Sequence, residues 1–309
     1  MEPKVSIAIP HYNHGKFIER AVRSIQDQNF SNYEIVIVDD ASTDDSYRVL
    51  QKLAAEDKRI KLFQNEKNSG TEITLNNCIN FSKGELLICR AADDLCAPGF
   101  LKNAVELMDK HLNAGLCVGD VEFIDENNQP SGVEALSLST ESKYFSSEEI
   151  IQYWKSDYNL PAASAIYRKS DFVKAGSYLK GLRWYADWML NMIIAFRSGV
   201  IYCPKVFVKF RLDSGSYGNS RLLDNEAQDS VFHHLLNYLK NDFQDVLPAF
   251  MRSGALDLFA PRIVDTYYKH SDLWSIELLN ALQKPFYTWN KRKETYKDDH
   301  GISKILEVL

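Results

Sequence analysis

Two aspartate pairs, Asp39-Asp40 and Asp93-Asp94, and one isolated acid within Ala186-Asp187-Trp188 are the residues here whose types and spacing could do chemistry. The pairs sit in EIVIVDDASTDDS and GELLICRAADDLCAP. Each follows an apolar, partly β-branched run that predicts a buried strand. Carboxylates at the C-terminal ends of parallel strands face the crevice in which α/β sheets bind ligands. Two such charges side by side repel unless a cation or hydrogen-bond donors lie between them. The pattern points to a divalent metal holding a phosphorylated ligand.

The elements that must position these acids alternate in type. Val5 to Ile9 predicts a strand, followed by Phe17, Ile18, Ala21, Val22 and Ile25 at helical spacing. Strands are expected at 34–38, 60–63 and 85–89, and helices at 46–55 and 71–81. Ser42-Thr43-Asp44 reads as a helix-starting cluster, and Pro98 opens a helix running to about His111. This alternation predicts an α/β fold with a mainly parallel central sheet and helices on both faces. Beyond Gly115 the pattern changes. A strand is expected over 116–124, a turn at 125–128, and a polar rim loop around 131–147. A helix is expected over 184–196, closed by Gly199, then a strand or hairpin over 200–210. From about Arg221 onward the chain reads as helical. A boundary near 218, after the Gly215 to Gly218 loop, divides it into a region 1–218, in two parts of about 1–118 and 119–218, and a helical C-terminal region 219–309.

Composition narrows the class. The 309 residues are 45% hydrophobic and 25% charged, as in ordinary soluble globular proteins. A net charge of −6 argues against a nucleic-acid partner. Five scattered cysteines with no CxxC pair support neither a zinc site nor a disulfide framework. The opening MEPKVSIAIP lacks the pattern of a secretory signal, and no stretch reaches a membrane-spanning length. A reduced, cytoplasmic setting is the expectation.

The loops after the strands carry further candidates, each with two readings. The loop Pro10-His11-Tyr12-Asn13 suits a nucleotide pocket, with Tyr12 stacking on a base and backbone beside Pro10 reading its edge; it also suits a plain turn. Asp40 either accepts from a base N–H or caps the next helix. Gly70 permits close backbone approach at a helix N-terminus that favours phosphate. Asn76 either faces the ligand or is solvated.

Taken in order, VSIAIPHYN, IVIVDDASTDDS, ICRAADDLCAP, ASAIYRKSDFVKAGSY, RWYADWML and VKFRLDSGS resemble the family 2 glycosyltransferases of the GT-A fold. The resemblance covers roughly residues 3–216. It implies a GT-A, Rossmann-like fold with a helical C-terminal extension. It also implies inverting transfer of a sugar from a nucleotide diphosphate donor, with UDP favoured as the commonest. The acceptor implied is a saccharide or lipid-linked hydroxyl, in bacterial surface polysaccharide synthesis. By resemblance Tyr12 and Asp40 meet the base and ribose. Asp94 binds Mn²⁺ or Mg²⁺, Asp93 meets ribose or metal, and Asp187 is the catalytic base. Trp184 and Tyr185 flank that base as candidate stacking faces for the acceptor, while Trp188 reads as core. Arg211 is a candidate diphosphate contact.

The chain also departs from the family pattern. Ala91 stands where an aspartate is common, Leu75 where an arginine is, and Ala186 where a glutamate is. Leu212-Asp213 replaces a frequent histidine, leaving Asp213 either near the metal or in solvent. These losses leave room for a catalytically silent member serving as a binding or assembly subunit. In the C-terminal region, 284–293 interleaves aromatic and basic residues, suiting either the inner face of a membrane or a surface contact. The stripe Val231, Leu235, Leu236 and Leu239 is expected to pack on the core or to pair protomers.

Overall fold

Val5–His11 forms the strand β1 because its apolar residues find cover on both faces; every residue but Pro10 is buried. The computed structural model describes residues 2–154, 159–212 and 225–287. After β1 come α1 (Gly15–Gln26), β2 (Tyr33–Asp39), α2 (Ser46–Glu56), β3 (Ile60–Gln64), α3 (Thr71–Phe81) and β4 (Leu86–Cys89). The short β5 (Leu95–Cys96), α4 (Phe100–Lys110), β6 (Leu116–Ile124), β7 (Pro130–Glu134) and β8 (Lys143–Phe145) follow. Next are α5 (Ser147–Tyr153), β9 (Ile166–Arg168), α6 (Lys169–Lys174), α7 (Ala186–Ser198) and β10 (Val200–Arg211). Helices α8 (Asn225–Asn241), α9 (Leu247–Ser253), α10 (Ala260–Lys269) and α11 (Ile276–Ala281) complete the described chain.

The sheet runs β3-β2-β1-β4-β9-β6-β10-β5, with β7 added to β6 and β8 to β10. Strands β3, β2, β1 and β4 are mutually parallel, as are β6 and β10; β9 lies antiparallel between β4 and β6. The chain leaves β1 toward β2 and β3, then returns to place β4 on its other side. That reversal opens a crevice at the C-terminal ends of β1 and β4, where doubly wound sheets bind ligands.

Alternate side chains of each strand serve opposite faces. Val5, Ile7 and Ile9 join Ile18, Val22 and Ile25 of α1, Leu50 and Leu53 of α2, and Phe100 of α4 in one apolar cluster. Ala8, Val36 and Val38 face the other cluster, with Leu75 and Cys78 of α3 and nearly the whole of α7. All five cysteines are buried within these clusters and form no disulfide.

Three expectations are amended. The polar stretch 131–147 is no simple loop: it supplies most of β7, all of β8 and the start of α5. Every residue of β7 is exposed, so it carried no apolar alternation to read. The helix expected from Trp184 begins as a single 3-10 turn, Arg183–Tyr185, before α7. The stripe Val231, Leu235, Leu236 and Leu239 is fully buried, its three leucines in the α7 cluster, so it packs on the core and is not available to pair protomers. Phe286 is also buried, against Tyr267 and Tyr268, and Lys284 pairs with Asp257 at 3.0 Å. Residues 288–293 of the aromatic-basic segment, Asp213, the 215–218 loop and the boundary near 218 lie outside the described residues. Among the described residues no helix is long and apolar enough to cross a membrane.

Candidate functional site

Three loops meet over the crevice, and side chains sew them together. Asp39, at the end of β2, is fully buried and organises the first two. Its carboxylate accepts from the Ser42 hydroxyl and backbone N–H and from Gln64 Nε2, and lies 3.0 Å from His11 Nδ1. Burial alone would raise the Asp39 pKa; the hydrogen bonds from Ser42, His11 and Gln64 outweigh it and hold the carboxyl below its ordinary value. Burial outweighs Asp39 at His11 and lowers the pKa of its imidazole.

Asn13 spans the same gap. Its side-chain oxygen accepts from the Thr43 N–H at 2.8 Å, and its own N–H donates to Ser42 Oγ at 3.0 Å. Asn13 and Ala41 both hold left-handed backbone, at φ 52° and 56°, which non-glycine residues rarely keep outside constrained sites. Asp40 reaches the third loop, accepting from Asn65 Nδ2, Ser69 N–H and Gly70 N–H at 2.7–2.9 Å. Gly70 sits at φ 88° and ψ 161°, a region open essentially to glycine alone, and α3 starts at the next residue. Tyr12 is 41% exposed above these loops, and Pro10 lines the crevice floor.

The crevice holds an inner cleft of about 270 Å³ and an adjoining outer groove of about 700 Å³ that share Thr71, Glu72, Tyr178, Arg183 and Trp184. Asp94 and Asp187 both line the inner cleft. Asp94 is 3% exposed and accepts the backbone N–H of Arg211 at 2.9 Å. Burial, reinforced by the adjacent Asp93 carboxylate, pushes its pKa up to about 7. Asp187 lies in the first turn of α7, and its Oδ1 is sealed from solvent without a partner among the described residues. Burial raises its pKa, and a hydrogen bond with Tyr178 offsets part of that. The indole N–H of Trp184 is likewise buried, with no acceptor among the described residues.

Not every expected residue faces the cleft. Tyr185 packs its ring on Phe232 and Phe259, with centroids 5.3 and 5.0 Å away, and lines neither cavity. Arg211 spends its guanidinium on protein: Nε donates to the Asp93 carbonyl, Nη1 to the Asp125 carbonyl and Nη2 to Asn128 Oδ1. It therefore buttresses the acidic pair rather than offering a free fork. Asn76 does line the outer groove, half-buried, but its amide is committed to both backbone groups of Tyr178. Trp188 is core, as expected. Arg90, Arg183 and Tyr178 line the cleft without having been singled out in the sequence. The one available signal was position: Arg90 closes an apolar strand just ahead of an acidic pair.

The family model for glycosyl transferase family 2 matches residues 6–176. The chain belongs to that family. A relative from Campylobacter jejuni, GalNAc(5)-diNAcBac-PP-undecaprenol beta-1,3-glucosyltransferase, is 35% identical over 105 residues, 34% of this chain. The match likewise spans 34% of that relative's length. S. aureus TarS 1–349, solved in complex with UDP-GlcNAc, has TM-score 0.64 at 18% identity, covering 95% of this chain and 91% of that 1–349 fragment. The mannosyltransferase PcManGT of Pyrobaculum calidifontis, solved with GDP-Man and Mn²⁺, has TM-score 0.57 at 18% identity, covering 97% of this chain and 89% of that one. At these identities the solved structures support the GT-A fold, with its mostly parallel central sheet, flanking helices and C-terminal helices.

Proposed function

We propose that this family 2 glycosyltransferase moves a sugar, with inversion, from a nucleoside diphosphate donor to a hydroxyl of a saccharide or lipid-linked acceptor. UDP is the favoured nucleotide, in keeping with the UDP-GlcNAc bound by TarS. The observation that carries this reading is the convergence of Asp94 and Asp187 on one cleft, Asp94 buried with a single protein donor and Asp187 half-buried with a sealed, unpartnered Oδ1.

Asp94, with Asp93 beside it, fits a hard divalent cation. Its carboxyl is sealed and accepts a single protein N–H, and an all-oxygen donor set suits Mn²⁺ or Mg²⁺. Such an ion, when bound, supplies positive charge against the departing diphosphate. The first three loops hold the nucleoside: Tyr12 offers an exposed ring face, and Asp40 keeps Gly70 and the start of α3 in place while retaining one free lone-pair direction.

Asp187 performs the proton transfer. Its unpartnered Oδ1 accepts the proton of the acceptor hydroxyl as that oxygen bonds to the anomeric carbon. The bond from that carbon to the diphosphate oxygen breaks, and its electron pair leaves with the nucleoside diphosphate. A single displacement inverts the centre. Burial raises the proton affinity of Asp187, which suits a base working near neutrality. Trp184 roofs the same space with a free N–H for a sugar oxygen and an apolar face for its C–H side.

A thermal-shift panel of UDP-, dTDP- and GDP-sugars, with and without Mn²⁺, tests the reading. A true donor at a hundredfold excess over its Kd adds about 2.7 kcal/mol of stability, and only with metal present. If no nucleotide sugar moves the melting temperature, the departures at Leu75, Ala91 and Ala186 have silenced the site and the binding-subunit alternative stands.

A further inference from the structure

Arg90 follows the last residue of β4 and is 2% exposed. Its Nη1 donates to the carbonyl of Ala163, and its guanidinium carbon lies 5.4 Å from the centre of the Phe100 ring. Its Nε and Nη2 are buried without any acceptor among the described residues. Those two nitrogens form one edge of the guanidinium plane, the edge that meets two oxygens of a carboxylate or a phosphate at once. A guanidinium taken out of water with that edge empty carries a heavy desolvation cost. Retaining it makes sense where a ligand completes it.

Arg90 lines the inner cleft together with Asp94 and Asp187. Leu75, where the family resemblance expects an arginine, lines the same cleft and brings no charge. The other cleft arginine, Arg183, is partly exposed at the mouth, with its guanidinium 5.8 Å from the Trp184 ring centre. Arg211 is consumed by protein contacts. Arg90 is thus the buried cation in the cleft with a vacant bidentate edge.

We propose that Arg90 is the anion anchor of the donor subsite, its Nε–Nη2 edge gripping a pair of anionic oxygens on the nucleotide sugar. This rests on the donor reading above. The oxygens belong either to the diphosphate or to a carboxylate on the transferred sugar, and the two sources are separable by experiment.

Calorimetric titration of the full chain with UMP, UDP, UDP-glucose and UDP-glucuronate, all with Mn²⁺, is compared between wild type, Arg90→Met and Arg90→Lys. Charge-assisted bonds to the anion predict at least roughly tenfold weaker binding in Arg90→Met, with Arg90→Lys between the two. Loss for UDP but not UMP assigns the diphosphate. Loss confined to UDP-glucuronate assigns a sugar carboxylate. Arg90→Met should also melt no lower than wild type in the absence of ligand, because it removes an unpaired buried charge. A lower melting temperature with unchanged affinity for UDP and UDP-glucuronate would make Arg90 structural and overturn the inference; should Arg90→Met not fold, unchanged affinities in Arg90→Lys overturn it equally. Wild type that binds none of the four probes, nor GDP, sinks the donor reading itself, a result distinct from equal binding by wild type and variants.

Discussion

Asp187 carries opposite demands on stability and activity, and both can be read through pH. Its folded pKa lies above the ordinary 3.8, because burial penalises the charged form. The folded chain therefore binds this proton more tightly than the unfolded chain. Stability contributed at this position is lost as pH rises from 3.8 through the folded value, where the sealed carboxyl is forced to ionise. Under the proposed base role activity runs the other way, since only the ionised form accepts a proton. Asp187→Asn should thus raise the melting temperature at pH 8, leave it near wild type at pH 3.5, and lower transfer by roughly 10²-fold or more. Donor affinity should be spared. Normal transfer by Asp187→Asn would remove the base assignment. Asp187 was legible through the RWYADWML resemblance and its place at a helix start. Arg90 was not, because one arginine after a strand gives no hint that burial will leave it unpaired.

At the scale of elements, the site is a set of loops held by one another. The acids after β2 illustrate what sequence could and could not show. Asp39 and Asp40 were legible as a pair at a strand end. Their division of labour depends on partners twenty-five to thirty residues away, Gln64, Asn65, Ser69 and Gly70, whose register no local pattern displays. Arg211 shows the same limit: its motif suggested a ligand contact, whereas three protein acceptors claim it. Arg211→Met should cost on the order of 3 kcal/mol in a urea melt, since it empties three bonds to a buried charged donor. It should also weaken Mn²⁺ binding, because the Asp93 carbonyl loses its clamp while the Arg211 N–H still serves Asp94. Arg211→Lys should recover little, because an ammonium cannot span three divergent acceptors. A variant with undiminished stability but weakened donor affinity would restore Arg211 as a diphosphate contact.

For the whole molecule, the C-terminal helices close the core on which the proposed base, Asp187, is mounted. Helical character beyond residue 221 was legible from periodicity, but where its apolar face goes was not, since a stripe at helical spacing serves a core or a dimer equally well. Val231, Leu235, Leu236 and Leu239 of α8 lie fully buried, the three leucines in one cluster with Met189, Ile193 and Phe196 of α7. Phe259 stacks edge-on to Trp188 at 4.9 Å, one residue from Asp187. A chain ending at 218 would leave the apolar side of α7 in water, at about 25 cal/mol for each Å² uncovered. It should be poorly soluble or lose its cooperative melt. Leu236→Ala, which leaves the rest of the helix in place, should cost ~2–5 kcal/mol by opening a cavity in the core cluster it shares with α7. If α8 only supports the core under the proposed base, the variant should keep its affinity for UDP with Mn²⁺, because the proposed donor loops follow β1, β2 and β3 and are held by their own hydrogen bonds. Its transfer rate should fall as the first turn of α7 loosens. Unchanged stability in Leu236→Ala would show that α8 is peripheral, and a truncated chain that folds and transfers sugar would establish residues 1–218 as a self-sufficient catalytic domain.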